Sequence, residues 1–364
     1  MNRFKESKLF FWTIELLAIF LLVWTGTKIS FVFYPIGAFF SVLFTPLIIA
    51  GFLYYLMNPL VEILEKIRVK RMYAILALFG FVIFLAVIVL TKYIPILVSQ
   101  INQLVLGFPE FLTNLQNTTI SLMDRFGLDD QTIQNAFAEW NVSFSELIKN
   151  TFSNVSSGLT SFIGIISRVT VVLITAPAIL FFMLKEGDQF SQAVVKFFPE
   201  NFRKEALDLF VKLNRTLSSY ITGQALVCLY VGIFTTIGYF IIGMPYALLL
   251  GTIAGVMDII PYLGPWIGIA PAFFIAFSIS PLQALLVVGV VLIVQLGESY
   301  FVSPFVLGKH LKVHPLTIIL ILLVAGNIAG LMGMILAIPV YAISKEILIN
   351  VYSIYQDHKK VNKA

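Results

Sequence analysis

Four ionisable side chains fall inside long apolar runs of this sequence: Glu15, Arg168, Asp258 and Glu298. A charge at the centre of a membrane-embedded helix costs roughly 2.5–3.5 kcal/mol on insertion scales, so a charge retained there needs a partner or a task. Asp258 opens the stretch Asp258-Ile-Ile-Pro-Tyr-Leu-Gly-Pro-Trp-Ile-Gly268, with Pro271 just beyond. Glu298 sits in Gln295-Leu-Gly-Glu-Ser-Tyr-Phe-Val-Ser-Pro304. Two chemistries are open to each carboxylate. It can bind a cation or a proton, or it can anchor structure by accepting hydrogen bonds from backbone donors freed near the prolines, or by pairing with Arg168. Glu15 has no evident partner in sequence.

The residues around these carboxylates suggest an irregular backbone. Pro261, Gly264, Pro265 and Gly268 crowd the first break, and Asn327, Gly330 and Gly333, followed by Pro339, crowd a second one further on. Proline removes a backbone donor and clashes with the preceding turn. Plain helix termination would explain such residues. Their density favours a shaped break, where free carbonyls and half-helix dipoles can face a solute.

Other chemistries find no support in the sequence. His310 and His314 are four apart, but Pro315 follows directly and no acidic or cysteine partner is near, so no metal site is expected. There is no His-Glu-x-x-His, phosphate loop or dinucleotide fingerprint. No cofactor is expected, and no segment is large enough for a nucleotide-driven motor domain. With no nucleophile–base pair visible, an enzyme is not expected. The one cysteine, Cys228, lies in an apolar run and excludes a disulfide framework within the chain.

The elements that must position these residues are set by hydropathy. The chain is 59% hydrophobic and 12% charged over 364 residues, against about 45–50% and about 25% for soluble domains. Lipid must be its solvent. A spanning helix takes about 20 apolar residues. Residues 9–27, 35–57, 73–94, 159–184, 217–242 and 282–302 meet this. Residues 245–278 and 315–343 are longer and broken near the middle, so each is either a kinked span or a re-entrant hairpin. The fold class is therefore an all-α integral membrane protein with six to eight transmembrane segments. The run 9–23 after Arg3, Lys5 and Lys8 resembles a signal peptide, but Trp24-Thr25-Gly26-Thr27 offers no cleavage site, and a retained first span is expected.

The formal charge of +5 does not point to nucleic acid, because the bases cluster beside apolar runs. Arg3, Lys5 and Lys8, then Lys66, Arg68, Lys70 and Arg71, then Lys185, Lys196, Arg203, Lys204, Lys212 and Arg215 all fall on one side when each run crosses once. That side is the cytoplasm by the positive-inside rule, and Lys359, Lys360 and Lys363 place the C-terminus there too. The segment 99–157 carries mostly acids (Glu110, Asp124, Asp129, Asp130, Glu139, Glu146) and is expected outside. Ile101, Leu104 and Val105, and later Ile133, Phe137 and Trp140, recur at helical spacing, with Pro109 and Gly127 as punctuation, so amphipathic helices are expected there. The resulting divisions are 1–98, a three-span region; 99–157, the external segment; 158–216, the fourth span and a cytoplasmic amphipathic segment; 217–345, a core with two broken-helix repeats; and 346–364, a tail. Gln224-Ala-Leu opens one long span of that core and Gln283-Ala-Leu the other. Paired broken segments in two halves are the best sequence pointer to a transporter's binding site.

An ordered set of motifs resembles the autoinducer-2 exporter family of bacterial and archaeal membrane proteins. It comprises Thr45-Pro-Leu-Ile-Ile-Ala50 through Asn58-Pro-Leu-Val61, Pro95-Ile-Leu-Val-Ser-Gln100, and Tyr220 with Gly223-Gln224. Asp258-Ile-Ile-Pro-Tyr-Leu-Gly-Pro265 with Gly268 and Pro271 follows, then Gln295, Glu298, Pro304, Gly308, His314-Pro315, Gly330, Gly333 and Pro339. The resemblance runs through nearly the whole chain. It implies a homo-oligomeric exporter, as large as a pentamer, working without ATP hydrolysis. Some members are associated with a furanosyl signalling molecule, others with sodium or lithium exchange for protons. Glu298-Ser299-Tyr300 departs from the family's acidic-Gly-Asn.

The expectation is a gradient-driven exporter of a small polar solute. A sodium(lithium)/proton antiporter is the alternative, and a membrane scaffold that transports nothing is the second. The partners expected are the lipid bilayer, the solute or a monovalent cation or proton, and other copies of the chain. Asp258 and Glu298 are expected to face a shared polar cavity near the two breaks.

Overall fold

Runs of Leu, Ile, Val and Phe with few charges satisfy their backbone polar groups internally, which in lipid leaves the helix as the available form for such a chain. The computed structural model describes residues 8–28, 30–126, 162–302, 304 and 314–361. Among them it contains helices and no strand. The helices are α1 (Lys8–Lys28), α2 (Ser30–Lys66), α3 (Arg71–Ile88), α4 (Ile94–Phe126), α5 (Phe162–Val195), α6 (Arg203–Ile241), α7 (Ala247–Met257), α8 (Gly264–Ile279), α9 (Pro281–Gly297) and α10 (Pro315–Val361). Five stretches are long and apolar enough to cross a bilayer: Gly37–Lys66, Arg71–Gly107, Arg203–Ile241, Pro281–Val302 and Pro315–Asn350.

Two short π-helical segments interrupt these rods. Val89–Tyr93 joins α3 to α4, and Glu298–Val302 continues α9. Each ends two residues before a proline, Pro95 and Pro304. A proline has no N–H for the carbonyl four residues back, and a widened turn is one way to absorb that loss.

Residues 245–278 form a helical hairpin. The chain leaves α6 through Gly243 (φ 68°) and Tyr246 (φ 57°), both left-handed. It then runs down α7, turns at Asp258–Leu263 and returns along α8. With 11 and 16 residues, the two legs are about 16 and about 24 Å long, short of the ~30 Å hydrocarbon core. The turn is tied by Leu263 N–H to the Pro261 carbonyl (2.8 Å) and Gly264 N–H to the Ile260 carbonyl (2.7 Å). Tyr262 takes φ 66° there. At the base, the Gln283 side-chain amide donates to the Ile242 carbonyl (2.7 Å), so the ends of the stretch meet. Ser280 is extended, and its hydroxyl oxygen caps α9 by accepting from Gln283 N–H (3.1 Å).

The second broken stretch also folds back. Ala329 and Gly330 leave helical geometry, and Gly330 at φ 58°, ψ −142° occupies a region open to glycine alone. A β-carbon on Gly326 would lie 3.2 Å from Met334 Cγ, and one on Gly333 would strike the Ala325 carbonyl oxygen. Residues eight apart in a straight helix are about 12 Å apart. α10 is therefore two antiparallel legs, Pro315 to Ile328 and Leu331 to Val361.

The hairpins enter from opposite ends of α6. The first opens beside Ile242, at the C-terminal end of α6. The legs of the second run toward the other end, where Lys212 donates to the Asn350 side-chain oxygen (3.2 Å). They meet between: Ile260 of the first turn is buried with Leu322 and Ala337 of the second hairpin. Around this unit, α2 packs on α3 and α5 through Tyr54, Met57, Val61, Ile75, Leu180 and Leu184. Arg71 locks that corner, donating to the Leu184 carbonyl (2.7 Å) and pairing with Glu65 (3.7 Å).

Two expectations are corrected. Pro109 does not punctuate the chain, because the helix entering at Arg71 runs past it through the first π segment to Phe126. The first part of the acidic segment is therefore an extension of the third span, and the boundary at 98/99 falls within a helix. The remainder, including Ile133, Phe137 and Trp140, lies outside the described residues. The second apolar run lies within a longer helix that starts at Ser30.

The hairpin geometry predicts opposite sidedness for two exposed positions. In a Cys228→Ala background, His314→Cys should react with an impermeant maleimide only from the cytoplasmic side and Ile279→Cys only from the outside. Reaction of both from one side would refute the opposed arrangement.

Candidate functional site

The site is the turn of the first hairpin and the surfaces that hold it. Asp258 ends α7 and is buried (3% exposed). Its Oδ2 has no hydrogen-bond partner among the described residues. Leaving such a group unmet costs about 1–3 kcal/mol, and more when it is charged. Glu298 is half-buried at the start of the second π segment. It lies within electrostatic reach of both Asp258 and Cys228.

Three glutamines from three helices hold this hairpin. Gln224 on α6 donates to the Asp258 carbonyl at the turn (2.7 Å). Gln283 on α9 fastens the base. Gln100 on α4 accepts from Leu249 N–H (2.9 Å) in the first turn of α7. That helix has no cap from its own N-terminal residue, so a distant side chain satisfies one of its free donors. The Tyr93 and Thr252 hydroxyls bond one turn further along. The π segment beneath Tyr93 orients these contacts.

α6 and α7 pack backbone to backbone. A β-carbon on Gly255 would lie 2.6 Å from Gly232 Cα and 2.8 Å from the Cys228 carbonyl, and one on Gly251 would strike Thr236. On the far side of α7, a β-carbon on Gly268 would lie 2.8 Å from Ala254 Cα. Gly264 is packed against Met257 and Asp258 in the same way. Gly264 and Gly268 thus serve close packing of the turn and of α7 against α8.

The remaining expected residues are spread out. Pro261 lies in the turn and Pro265 just after it, both half-buried, and Gln295 is half-buried one turn before Glu298. Asn327, Gly330 and Pro304 are exposed, and Gly333 is buried between the legs of α10. Glu15 is exposed on α1. The Arg168 side chain and Gly308 lie outside the described residues.

A cavity of about 640 Å³ lies between α2, α6 and α7, bounded by Phe52, Tyr93, Tyr220, Gln224, Cys228, Thr252 and apolar neighbours. Neither Asp258 nor Glu298 lines it. Its lining is largely apolar, and Gln224 connects it to the turn. Gln100 and Gln224 stood within the recognised motifs, but their partners lie 149 and 34 residues away. No local spacing could have revealed those contacts.

Opposed helical hairpins, buried against long apolar helices with a carboxylate at one turn, define a multi-pass membrane protein of transporter type. The model of the AI-2E family transporter matches residues 16–353, and the chain belongs to this family. "Putative transport protein YueF" of Bacillus subtilis is 40% identical over 348 residues, covering 95% of this chain and 94% of the relative. "Putative transport protein YrrI" of the same organism is 32% identical, covering 97% and 99%. "Putative permease PerM" of Escherichia coli K12 is 29% identical, covering 85% and 88%.

Proposed function

We propose that this protein is a gradient-driven exporter of a small polar solute, such as an autoinducer-2-like signalling molecule, with the two opposed hairpins as its transport unit. The observation that carries this reading is Asp258: a buried carboxylate with an oxygen unpartnered among the described residues, one residue from the segment where the hairpins meet. A group so placed binds a proton or cation reversibly, and the local backbone offers carbonyls to the solute. Residues Pro261, Gly264, Pro265, Gly268, Gln295, Glu298, Pro304, Asn327, Gly330 and Gly333 shape or line its path. In this reading the protein sits in the cytoplasmic membrane as a homo-oligomer, up to a pentamer, with both termini inside.

A sodium(lithium)/proton antiporter is the second reading. It is favoured by the electrostatic contact between Asp258 and Glu298, since two neighbouring carboxylates suit a site that exchanges one cation for another. In either case, Asp258→Asn and Glu298→Gln keep size and polarity and remove the charge. Proteoliposome flux under imposed sodium or proton gradients should fall at least tenfold in Asp258→Asn with assembly intact. Full flux in both variants, with unchanged dependence on the gradient, would make the carboxylates anchors and overturn the coupling role. Flux of sodium or lithium alone, with no organic solute present, would select the antiporter.

A further inference from the structure

The cavity between α2, α6 and α7 is poorly suited to a polar solute. Among the described residues no charged side chain lines it. Its polar groups are largely engaged with the protein. Tyr93 and Thr252 bond each other, Thr252 also reaches the Leu248 carbonyl, Thr236 reaches the Gly232 carbonyl, and the Gln224 amide is held by Asp258. A hydroxyl or amide moved there without a partner would give up its hydrogen bonds to water with nothing in return. A hydrocarbon chain would lose nothing of that kind.

The rim shows where such a chain would come from. Leu229, Ile233 and Ile237 on α6 and Val256 on α7 line the cavity and are 59%, 47%, 47% and 59% exposed. These residues belong to stretches that span or re-enter the bilayer, so the apolar lining continues onto exposed apolar side chains of α6 and α7. The volume of about 640 Å³ lies within the roughly 300–1,000 Å³ of ligand pockets.

We infer that this cavity is a lateral acyl-chain site, in which one chain of a bilayer phospholipid inserts between α2, α6 and the first hairpin. The chain packs against the α6–α7 seam and beside Gln224 and Cys228. It acts as a bound lipid and not as the exported solute, so the assignment goes beyond the transport reading and does not depend on it.

The test uses the full chain reconstituted with a phosphatidylcholine carrying a diazirine midway along one acyl chain. After irradiation, adducts should appear on Thr252 and Cys228 inside the cavity as well as on Leu292 and Ile293, which are outward-facing on α9. Ala225→Phe, which fills the cavity from α6, should lower the Thr252 and Cys228 adducts at least fivefold and leave those on α9 unchanged. Leu248→Phe serves the same purpose should Ala225→Phe fail to fold. Adducts on α9 with none on Thr252 or Cys228 would overturn the proposal, as would adducts at Thr252 and Cys228 that persist in a folded, filled variant. The first of these is also the result expected if a second copy of the chain covers the cavity.

Discussion

Gly255→Val should leave little folded protein. The new β-carbon would fall 2.6 Å from Gly232 Cα, 2.8 Å from the Cys228 carbonyl and 2.9 Å from Gly232 N. All three are backbone atoms, so no flexible side chain can move aside. Overpacking in a well-filled interior costs about 1–3 kcal/mol and more where the backbone must shift. Here α7 would have to leave α6, taking the Asp258 turn with it. Gly289→Ala is the control, because a β-carbon there meets nothing within 4 Å. It should hold or slightly raise stability, since alanine is favoured over glycine in a helix by about 0.5–1 kcal/mol. Thermal unfolding of the purified proteins in detergent reads both. A Gly255→Val protein that unfolds at the wild-type temperature would show that the seam is not close-packed.

Gln224→Leu should largely abolish transport while sparing assembly. The substitution keeps the bulk of the side chain but removes the donor that holds the Asp258 carbonyl at 2.7 Å. A buried carbonyl left unmet costs about 1–3 kcal/mol, and each 1.4 kcal/mol is about tenfold in a population. The competent arrangement of the turn should therefore become about ten to a hundred times rarer, and flux should fall with it. Gln283→Leu removes the same kind of bond at the half-buried base of the hairpin, where water can replace it, so a smaller loss is expected. Proteoliposome flux beside size-exclusion profiles separates turn geometry from misfolding. Full flux in Gln224→Leu, or a greater loss in Gln283→Leu, would contradict the role assigned to the turn.

Much of the architecture was legible because proline and glycine act locally. Asp258 to Pro265 reads as a break in sequence and is a turn in space. Gly326, Gly330 and Gly333 are placed where two helical legs close on each other. The Gln-Ala-Leu repeat also pointed to the right amides, since Gln224 and Gln283 hold the two ends of the same hairpin. Other features were hidden for physical reasons. When both lipid and protein favour apolar side chains, a helix shows little stripe to mark its buried face. Hence α6 and α9 looked alike along their length, and the cavity beside Cys228 left no trace. Pro109 misled because a proline signals a possible break, and neighbouring contacts decide whether the helix continues. Leu104 and Phe111 pack against the cluster around Ile275 and Ala276 of α8 on either side of it. Gln100 reads as one of several polar residues between Ser99 and Gln103 until α7 is in place to need its oxygen.

The π segment at Val89–Tyr93 has a consequence for chain length. A π turn holds one residue more than an α turn, so the helix emerges from it rotated by about 100° relative to an uninterrupted α-helix. Before it, α3 packs on α2 and α5; after it, α4 packs on α7 and α8. The segment works as a phase shifter, letting a single rod present one side to α2 and α5 and another to the hairpin. Its side chains are mostly exposed and invite substitution. Its length is another matter: deleting any one of Val89 to Lys92 would turn Tyr93 and Gln100 away from Thr252 and Leu249 together. Point changes at Val89, Leu90, Thr91 and Lys92 are therefore cheap, whereas a single-codon deletion would uncouple the outer helices from the hairpin they brace.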